Sequence, residues 1–365
     1  MAKKKETNEV PVNDRVRKPT SKKSFSLQDF KKKIGGQDVP DKPLRWIECS
    51  KSLQTATGLP GFPMGYVSLA RGFTNTGKST AICEGIVSAQ KMGILPVIID
   101  TENNLGTKRL EKMGFDWNAD HILVDNEFLL EEFGRKQDKN RNEASIEDKA
   151  AAIQFLLKEQ ESGNLPYDLL FAIDSLGTLD CIRSINAMEK NTSDNNMWNA
   201  GAFEKSFKYL LNNTIPNSRK ESKEYTNTMI GVQKIWIDNM GAGVVKHKGG
   251  ETFYYGSRLI YHFGGIAAHG ATKVSAQSKN RKVAYGIETN VSVAKNQIDG
   301  DLGGISFEGK IISTPHGFIL PEEVDTYKKD NLLYFRNALG MDVTVDEIED
   351  TYEVIKENEG FEMEL

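Results

Sequence analysis

Cysteine is scarce in this chain, and its few residues lie far apart. The sequence of 365 residues contains three, Cys49, Cys83 and Cys181, and their spacing matches neither a C-x-x-C pair nor a metal-ligand pattern. Such sparse usage fits a reducing compartment and inert packing. It therefore predicts neither a disulfide framework nor a zinc site.

Long apolar runs are also missing. No stretch approaches the roughly 18 consecutive apolar residues that a membrane span needs, and the Lys-rich N-terminus lacks the apolar run of a signal peptide. We therefore expect a soluble, cytoplasmic protein without membrane contact. A chain of this length can bury one large core or two modest ones without help from disulfides.

Charge is unevenly distributed along the chain, although the net charge is only −4. Residues 1–33 hold eleven basic against four acidic residues, a net charge of +7, whereas residues 321–365 hold fourteen acidic against four basic residues, a net charge of −10. A basic head can neutralise phosphates, and an acidic tail can compete for the same surface. Because such runs are more often simply solvated, composition alone leaves a DNA contact by the head open.

The spacing of apolar residues predicts alternating strands and helices. The predicted strands cover residues 66–70, 95–100, 169–174, 228–232 and 289–294. A helix is predicted over 79–92, between the first two strands. This alternation predicts an α/β fold with a mostly parallel central sheet and helices on both faces.

Several polar stretches interrupt this pattern. Residues 136–148 predict a surface loop leading into a helix over 149–160. Residues 183–200 are polar and residues 235–256 are Gly-rich. Both are interpreted as long irregular segments, which in a compact domain are usually functional or disordered. The first two dozen residues are typical of a flexible arm, followed by a short helix with Ser26 as its N-cap.

A phosphate-binding motif stands between the first predicted strand and the first predicted helix. Residues 72–79 read G-F-T-N-T-G-K-S and satisfy G-x-x-x-x-G-K-[ST] in the context that this motif requires. The glycines let the backbone bend closely around a phosphate, which then meets N–H groups and a helix N-terminus. Lys78 supplies a charge for the β- and γ-phosphates, and the Ser79 hydroxyl can ligate Mg²⁺. The sequence thus predicts a site for a nucleoside triphosphate with magnesium.

Two acidic residues follow neighbouring predicted strands. Asp174 ends an apolar strand at the position where a P-loop protein needs an acid to hold magnesium through its waters. Glu102 follows strand 95–100, so its carboxylate should emerge at the same edge, where it can orient and deprotonate an attacking water. The plain alternatives are an Asp that caps a strand or turn and an exposed Glu at a strand end.

Five further segments follow one another in order, namely residues 61–65 (GFPMG), 99–102 (IDTE), 109–116 (RLEKMGFD), 172–177 (AIDSLG) and 231–233 (GVQ). Together they resemble the RecA family of recombinases, including the phage recombinases of the UvsX type. The wording I-D-S-L-G is closest to the UvsX branch. This resemblance implies a RecA-type P-loop ATPase core over residues 44–319, preceded by a basic arm with a short helix over 1–43, for polymerisation or DNA contact, and followed by an acidic region over 320–365.

The resemblance also implies which residues act on the nucleotide. The implied nucleotide-binding residues are Gly72, Phe73, Thr74, Asn75, Thr76, Gly77, Lys78, Ser79, Thr80, Arg109 and Lys295, with Ser79 and Asp174 at the magnesium. Arg109 stands where bacterial RecA stacks a tyrosine on adenine. Lys295 matches one of two lysines that reach the ATP of the neighbouring subunit, and Gln297 occupies the second position. Catalytic roles fall to Glu102 as general base, to Lys78, and to Gln233 as a sensor of the γ-phosphate.

Two DNA-binding segments follow from the same resemblance, one around residues 194–198 and one over 234–250. The implied DNA-binding residues are Met197, Trp198, Lys234, Met240, Gly243, Val244, Val245, Lys246, His247, Lys248, Gly249 and Gly250. Cations and glycine amides of the second segment can meet phosphates. Its apolar side chains can wedge between bases, and Trp236 can stack or simply pack.

The function implied is an ATP-dependent DNA recombinase that forms filaments on single-stranded DNA and catalyses homologous pairing and strand exchange, with DNA-dependent ATP hydrolysis. ATP and Mg²⁺ are its cofactors. Its partners are single- and double-stranded DNA, further copies of the chain, and single-strand-binding and loader proteins, in a bacterial host cytoplasm if the protein is phage-encoded. Two alternatives stay open, a hexameric helicase or translocase on the same core and a nucleotide-gated interaction ATPase without a DNA role.

Overall fold

The computed structural model describes residues 26–27, 39–103, 105–134, 141–189, 197–238, 244–247, 250–265, 270–298 and 308–355. Contacts divide the chain into two units, residues 1–40 and 41–365. The first unit includes four of the described residues, two of them at Ser26 and Leu27. The predicted basic arm and most of its short helix therefore lie outside the described residues.

The second unit alternates strands and helices. Its described strands are β1 (Trp46–Glu48), β2 (Gly61–Pro63), β3 (Val67–Gly72), β4 (Leu95–Asp100), β5 (Ile122–Leu123), β6 (Leu169–Asp174), β7 (Asn227–Asp238), β8 (Val244–His247), β9 (Leu259–Phe263), β10 (Ala271–Ser278), β11 (Arg281–Asn296), β12 (Glu308–Thr314), β13 (Gly317–Ile319) and β14 (Glu349–Val354). Its described α-helices are α1 (Lys51–Thr57), α2 (Lys78–Lys91), α3 (Thr107–Lys112), α4 (Asn126–Leu129), α5 (Ile146–Glu161), α6 (Ile182–Glu189), α7 (Met197–Tyr209), α8 (Ile215–Asn217), α9 (Gly250–Gly256), α10 (Val324–Asp330) and α11 (Leu332–Leu339). Within the described ranges, no helix is both long enough and apolar enough to cross a membrane.

Twelve of the described strands belong to one sheet, whose main path has the order β13-β12-β11-β9-β3-β7-β6-β4-β5. The six strands from β9 to β5 run parallel to one another. Beyond β9, strands β11, β12 and β13 continue the sheet in antiparallel pairing. The first half of β11 also pairs with β10, and β10 pairs in turn with β14, both antiparallel. Parallel neighbours need crossover connections, which place helices over the sheet. The predicted α/β fold with a mostly parallel sheet is confirmed.

Apolar side chains cover both faces of the central strands. Along β3, Ala70 belongs to the apolar cluster on one face, together with Ile82 of α2, whereas Leu69 belongs to the cluster on the other face, together with Phe203 of α7. Neighbouring residues of a strand point to opposite faces, so a strand covered on both sides must be apolar throughout. This requirement explains why the central strands appear in the sequence as short, nearly continuous apolar runs.

The element bounds test the interpretation of the sequence. Strands β4 and β6 occupy the predicted residues, and helix α2 begins one residue before the prediction, at Lys78. The interpretation of two stretches as irregular was wrong over their described parts. Strand β7 extends to Asp238 and forms an antiparallel hairpin with β8, and α9 follows. Helices α6 and α7 cover residues 183–189 and 197–200.

The polar stretch ahead of α5 was predicted to lie at the surface, but most of its described part is buried, and only Asn142 and Glu143 of residues 141–148 are exposed. The side chains of Arg141 and Asp148 are each 0% exposed and form an ion pair. Arg141 Nη2 also donates a hydrogen bond to the Glu143 carbonyl oxygen at 3.2 Å. Burial of charge is tolerable when the charges are paired and hydrogen-bonded. Helix α5 starts at Ile146, before the predicted residue 149.

Helix α5 begins with a capping box that gives a test of this segment. Ser145 Oγ accepts a hydrogen bond from the Asp148 N–H at 3.2 Å, and Asp148 Oδ2 accepts one from the Ser145 N–H at 2.8 Å. We expect Ser145→Ala to lower the free energy of unfolding by about 1–2 kcal/mol in a urea titration, because a helix N–H loses its acceptor. Ser162→Ala at the exposed far end of α5 should change it by less than about 0.5 kcal/mol. Equal losses in the two variants would contradict the capping role.

The acidic C-terminal region is folded over its described residues, which end at Ile355. Helices α10 and α11 pack Tyr327 and Phe335 against the outer part of the sheet in a third apolar cluster. The buried amine of Lys328 in α10 contacts the Asp350 carboxylate of β14 at 2.6 Å, which fixes this last strand in place. The predicted division of the chain at residues 43/44 and 319/320 stays a prediction.

Candidate nucleotide site and the adjoining hairpin

The carboxyl end of β3 leads through a tight loop into helix α2. A Cβ atom at Gly72 would lie 2.1 Å from the carbonyl oxygen of Phe263, so the close approach of β9 requires glycine at this position. Gly77, the N-cap of α2, has a φ of 97°, in the left-handed region that glycine adopts without strain. The loop thus bends directly into the N-terminus of a helix, an arrangement that favours an anion.

Lys78 lies inside this loop and is 8% exposed. Its amine donates a hydrogen bond to the Phe73 carbonyl oxygen, which also accepts one from Thr76 Oγ1 at 2.9 Å. Burial lowers the pKa of Lys78 to about 8, and the nearby Asp174 carboxylate acts in the opposite direction. A phosphate in the loop would be a stronger acceptor for this amine than a carbonyl oxygen.

Asp174 ends β6 beside the loop and is 1% exposed. Burial raises the pKa of Asp174 to about 6, while a hydrogen bond with the Ser79 side chain lowers it. The Oδ2 atom of Asp174 is buried and has no hydrogen-bond partner in the part of the chain that the structure describes. Burying a carboxylate oxygen without a partner costs free energy unless a cation or a water molecule contacts it. Because hydroxyl and carboxylate oxygens are ligands that magnesium prefers, Ser79 and Asp174 fit this ion.

Glu102 reaches the same edge of the sheet. Strands β4 and β6 are parallel, with Asp100 opposite Asp174, so the residues that follow these two strands are neighbours. The Ser175 hydroxyl donates a hydrogen bond to Glu102 Oε1 at 2.5 Å. The charge of Glu102 is close enough to raise the pKa of both Lys78 and Asp174. The structure therefore brings the predicted general base and the predicted magnesium ligand together beside the loop.

Strand β7 places two further residues next to the loop. Gln233 lies opposite Arg71 of β3, and Lys234 lies opposite Gly72. Gln233 is fully buried, whereas Lys234 is exposed. The charge of Lys234 lowers the pKa of Lys78, as expected for two cations at close range. The predicted γ-phosphate sensor thus lies level with the residue that precedes the loop.

Arg109 of α3 also reaches the start of α2. Its Nη2 donates a hydrogen bond to Thr80 Oγ1 at 2.5 Å, and the Thr80 hydroxyl is hydrogen-bonded to Ser313 of β12. The Thr80 hydroxyl therefore holds the guanidinium group beside the loop, and Ser313 in turn contacts Thr80. The structure brings Arg109 and Thr80 to the site, and the stacking of Arg109 on adenine stays a prediction.

Lys295 lies away from the loop of its own chain. It is opposite Ile260 near the start of β9, whereas the loop glycine Gly72 is opposite Phe263 at the far end of that strand. The Lys295 amine donates hydrogen bonds to two carbonyl oxygens in the last turn of α9, at 3.0 and 3.3 Å. A cation at this position stabilises a helix C-terminus. The contact of Lys295 with the nucleotide of a neighbouring subunit stays a prediction.

The second predicted DNA segment is the hairpin of β7 and β8. Trp236 lies opposite Lys246, and Trp236 is 39% exposed. The exposed Lys234 and Lys246 stand on its two strands. The structure describes the backbone of Val244, Val245, His247 and Gly250, whereas Met240, Gly243, Lys248 and Gly249 lie outside the described residues. The hairpin offers an aromatic ring and two cations on an ordered strand pair.

The first predicted DNA segment lies partly outside the described residues, which omit 190–196. Met197 begins helix α7, and the half-buried ring of Trp198 lies 3.8 Å from the guanidinium carbon of Arg183 in α6. This distance is that of a cation–π contact, so Trp198 is held against a helix. DNA contact by Met197 and Trp198 stays a prediction.

The sequence analysis missed the role of two hydroxyl residues at this site, Thr101 and Ser175. Thr101 Oγ1 accepts a hydrogen bond from the Ser175 N–H at 2.8 Å and contacts the Thr178 hydroxyl at 2.6 Å. The sequence did contain a signal, because a hydroxyl residue directly follows the acid at the end of each strand, Thr101 after Asp100 and Ser175 after Asp174. The contacts themselves depend on the pairing of β4 with β6.

Comparison with known proteins points in the same direction as the fold. No protein-family model matches the chain. Part of it is similar to curated proteins named Protein RecA, with 33% identity over 106 residues in Aquifex pyrophilus, 31% over 125 residues in Corynebacterium efficiens and 28% over 123 residues in Chlorobaculum parvum. These stretches cover 27%, 33% and 32% of this chain and 30%, 32% and 35% of the respective relatives. The chain thus spans about a third of the length of the curated relatives it matches, and these partial matches support the RecA family.

Proposed function

We propose that this chain is an ATP-dependent DNA recombinase of the UvsX type, which polymerises on single-stranded DNA, pairs it with a homologous duplex and exchanges strands. The observation that carries the proposal is the course of β7. This strand places Gln233 beside the phosphate loop and then continues into a hairpin that presents Trp236 and Lys246. A residue beside the nucleotide site and a surface suited to DNA therefore lie on one strand, which supports a nucleotide-dependent DNA-binding protein.

Each part of the site has a proposed role in hydrolysis. The loop and Lys78 hold the β- and γ-phosphates of ATP, while Ser79 and Asp174 hold Mg²⁺. When bound, Mg²⁺ neutralises charge on the phosphate oxygens. Glu102 orients a water molecule and accepts its proton as the oxygen attacks the γ-phosphorus. Gln233 senses the presence of the γ-phosphate, and its movement changes the position of the hairpin.

The proposal includes the partners of the protein. Copies of the chain form a helical filament with ATP between neighbours, and Lys295 of one copy contacts the nucleotide of the next. Single- and double-stranded DNA occupy the hairpin and the segment that begins α7. Single-strand-binding and loader proteins assist assembly, in the cytoplasm of a bacterial host if the gene belongs to a phage.

A combined assay tests the proposed function. ATP hydrolysis is measured with and without single-stranded DNA, strand exchange is followed with labelled oligonucleotides, and the complexes are viewed by negative-stain microscopy. We expect hydrolysis that depends on DNA, homology-dependent exchange and filaments. Closed rings with directional unwinding would instead support a helicase, and hydrolysis indifferent to DNA, without DNA binding, would support an interaction ATPase.

The hairpin gives a prediction of its own. Lys246→Ala should weaken binding to single-stranded DNA and reduce the slope of log affinity against log salt by about one, because one phosphate contact is lost. Fluorescence anisotropy at several salt concentrations measures both quantities. Lys279→Ala is the matched control. Lys279 is an exposed lysine in the turn between β10 and β11, and it forms an ion pair with Asp342. A Lys246 variant that behaves like this control would remove the hairpin from the DNA surface.

A further inference from the structure

We infer that Ser175 is a positioning residue for ATP hydrolysis, whose hydroxyl holds the Glu102 carboxylate in its working position. This inference rests on the proposed function, because it takes Glu102 to be the general base. Ser175 directly follows Asp174 and is 2% exposed. Its Oγ donates a hydrogen bond to Glu102 Oε1 at 2.5 Å. The residue next to the proposed magnesium ligand therefore contacts the proposed base.

Glu102 needs such support because of where it stands. It follows the end of β4 in an exposed bend, where its long side chain has several rotamers to choose from. The hydrogen bond from the Glu102 N–H to Asp100 Oδ1, at 3.2 Å, fixes the main chain but not the carboxylate. A general base acts only within hydrogen-bond reach of the water that it deprotonates, and a small displacement is costly. The bond from Ser175 restricts the carboxylate directly.

Ser175 can serve as a support because it is itself fixed. Its N–H donates to Thr101 Oγ1 at 2.8 Å, and its carbonyl oxygen accepts from the Thr178 hydroxyl at 3.2 Å. The Thr101 N–H donates in turn to the Asp174 carbonyl oxygen at 2.7 Å. The ends of β4 and β6 are therefore tied together beyond the last pair of the sheet. Through Ser175, this support extends to Glu102.

The arrangement gives Ser175 a defined and limited part in the reaction. The water loses its proton to Glu102, the water oxygen forms a bond to the γ-phosphorus, and the bond from that phosphorus to the ADP oxygen breaks. Ser175 gains and loses no proton in these steps. Ser175 contributes by keeping the distance between the Glu102 carboxylate and Asp174 constant. The same hydrogen-bond network fixes the position of Asp174.

The test is the steady-state hydrolysis of ATP by the full chain on single-stranded DNA. Ser175→Ala should lower kcat by roughly tenfold or more, because the base is less often in place, and leave the KM for ATP unchanged within about twofold. The matched control is Ser52→Ala, which removes another buried serine hydroxyl that donates to a glutamate carboxylate, Glu323 Oε2 at 2.7 Å, outside the network at Glu102. This control should keep kcat within about twofold of the unaltered chain. Should Ser175→Ala fail to fold, Ser175→Cys keeps the volume with a weaker donor and should show a smaller loss of kcat.

A double-mutant cycle separates positioning from a general structural effect. In a Glu102→Gln background, Ser175→Ala should cause no further loss of kcat, because the group that it positions no longer accepts a proton. Additive losses, or a Ser175→Ala variant with unaltered kcat beside an inactive Glu102→Gln variant, would overturn the inference and leave the proposed function standing. A folded, unaltered chain that hydrolyses no ATP with DNA would overturn the proposed function and the inference together.

Discussion

Replacing Glu102 by glutamine is expected to reduce DNA-dependent ATP hydrolysis by about a hundredfold or more while nucleotide binding is retained. Glutamine matches glutamate in size and its amide oxygen can still accept the hydrogen bond from Ser175. It cannot accept the proton of the attacking water, which is the role proposed for this side chain. Single-turnover hydrolysis measures the chemical step, and fluorescence of a labelled ATP analogue measures binding.

The matched control for this substitution is Glu111→Gln, which alters an exposed carboxylate of the same kind on helix α3. Its hydrolysis should equal that of the unaltered chain. DNA filaments formed by Glu102→Gln with ATP should persist for longer, because ATP is consumed slowly. Unchanged turnover in Glu102→Gln would remove this residue from the mechanism.

Replacing Lys78 by alanine should lower the affinity for ATP by about a hundredfold, since a charge-assisted contact with the phosphates is lost. ATP-dependent binding to DNA should disappear with it. The fold should survive, because burial lowers the pKa of Lys78 to about 8, which means that folding disfavours its charged form. The urea midpoint without nucleotide is therefore expected to stay the same or to rise.

Lys91→Ala provides the comparison, because this exposed lysine lies in the last turn of the same helix, α2. Its affinity for ATP should match that of the unaltered chain. Calorimetric titration with a nonhydrolysable ATP analogue gives the affinities, and urea titration gives the stabilities. Binding of ATP by Lys78→Ala at full affinity would contradict the assignment of the loop.

The central sheet and the loop could be predicted from the sequence because both depend on short-range patterns. Strands β4 and β6 are apolar up to their final aspartates since helices cover both of their faces, and this makes their ends easy to find. The loop at residues 72–79 is recognisable because two glycines and a lysine have fixed roles around a phosphate. The order of these elements along the chain then places Glu102 and Asp174 at one edge.

Other features depend on contacts that no local pattern reveals. Arg141 appears in a polar stretch and would be expected in solvent, but it is buried because Asp148 supplies the opposite charge. The pairing of β7 with β8 brings together residues on either side of a Gly-rich stretch, which by composition resembles a loop. The position of Lys295 against the carbonyl groups of α9 follows only from the register of β11 on β9.

The length of β7 has a mechanical consequence. From Gln233 to Asp238 the chain stays in one strand, and five residues of strand span about 17 Å. A paired strand resists extension and bending, whereas a loop of the same length would absorb a small displacement. A shift of Gln233 by a fraction of an ångström would thus be transmitted to the hairpin with its size and direction preserved. In this respect β7 is a stiff connection between the proposed nucleotide site and the proposed DNA surface.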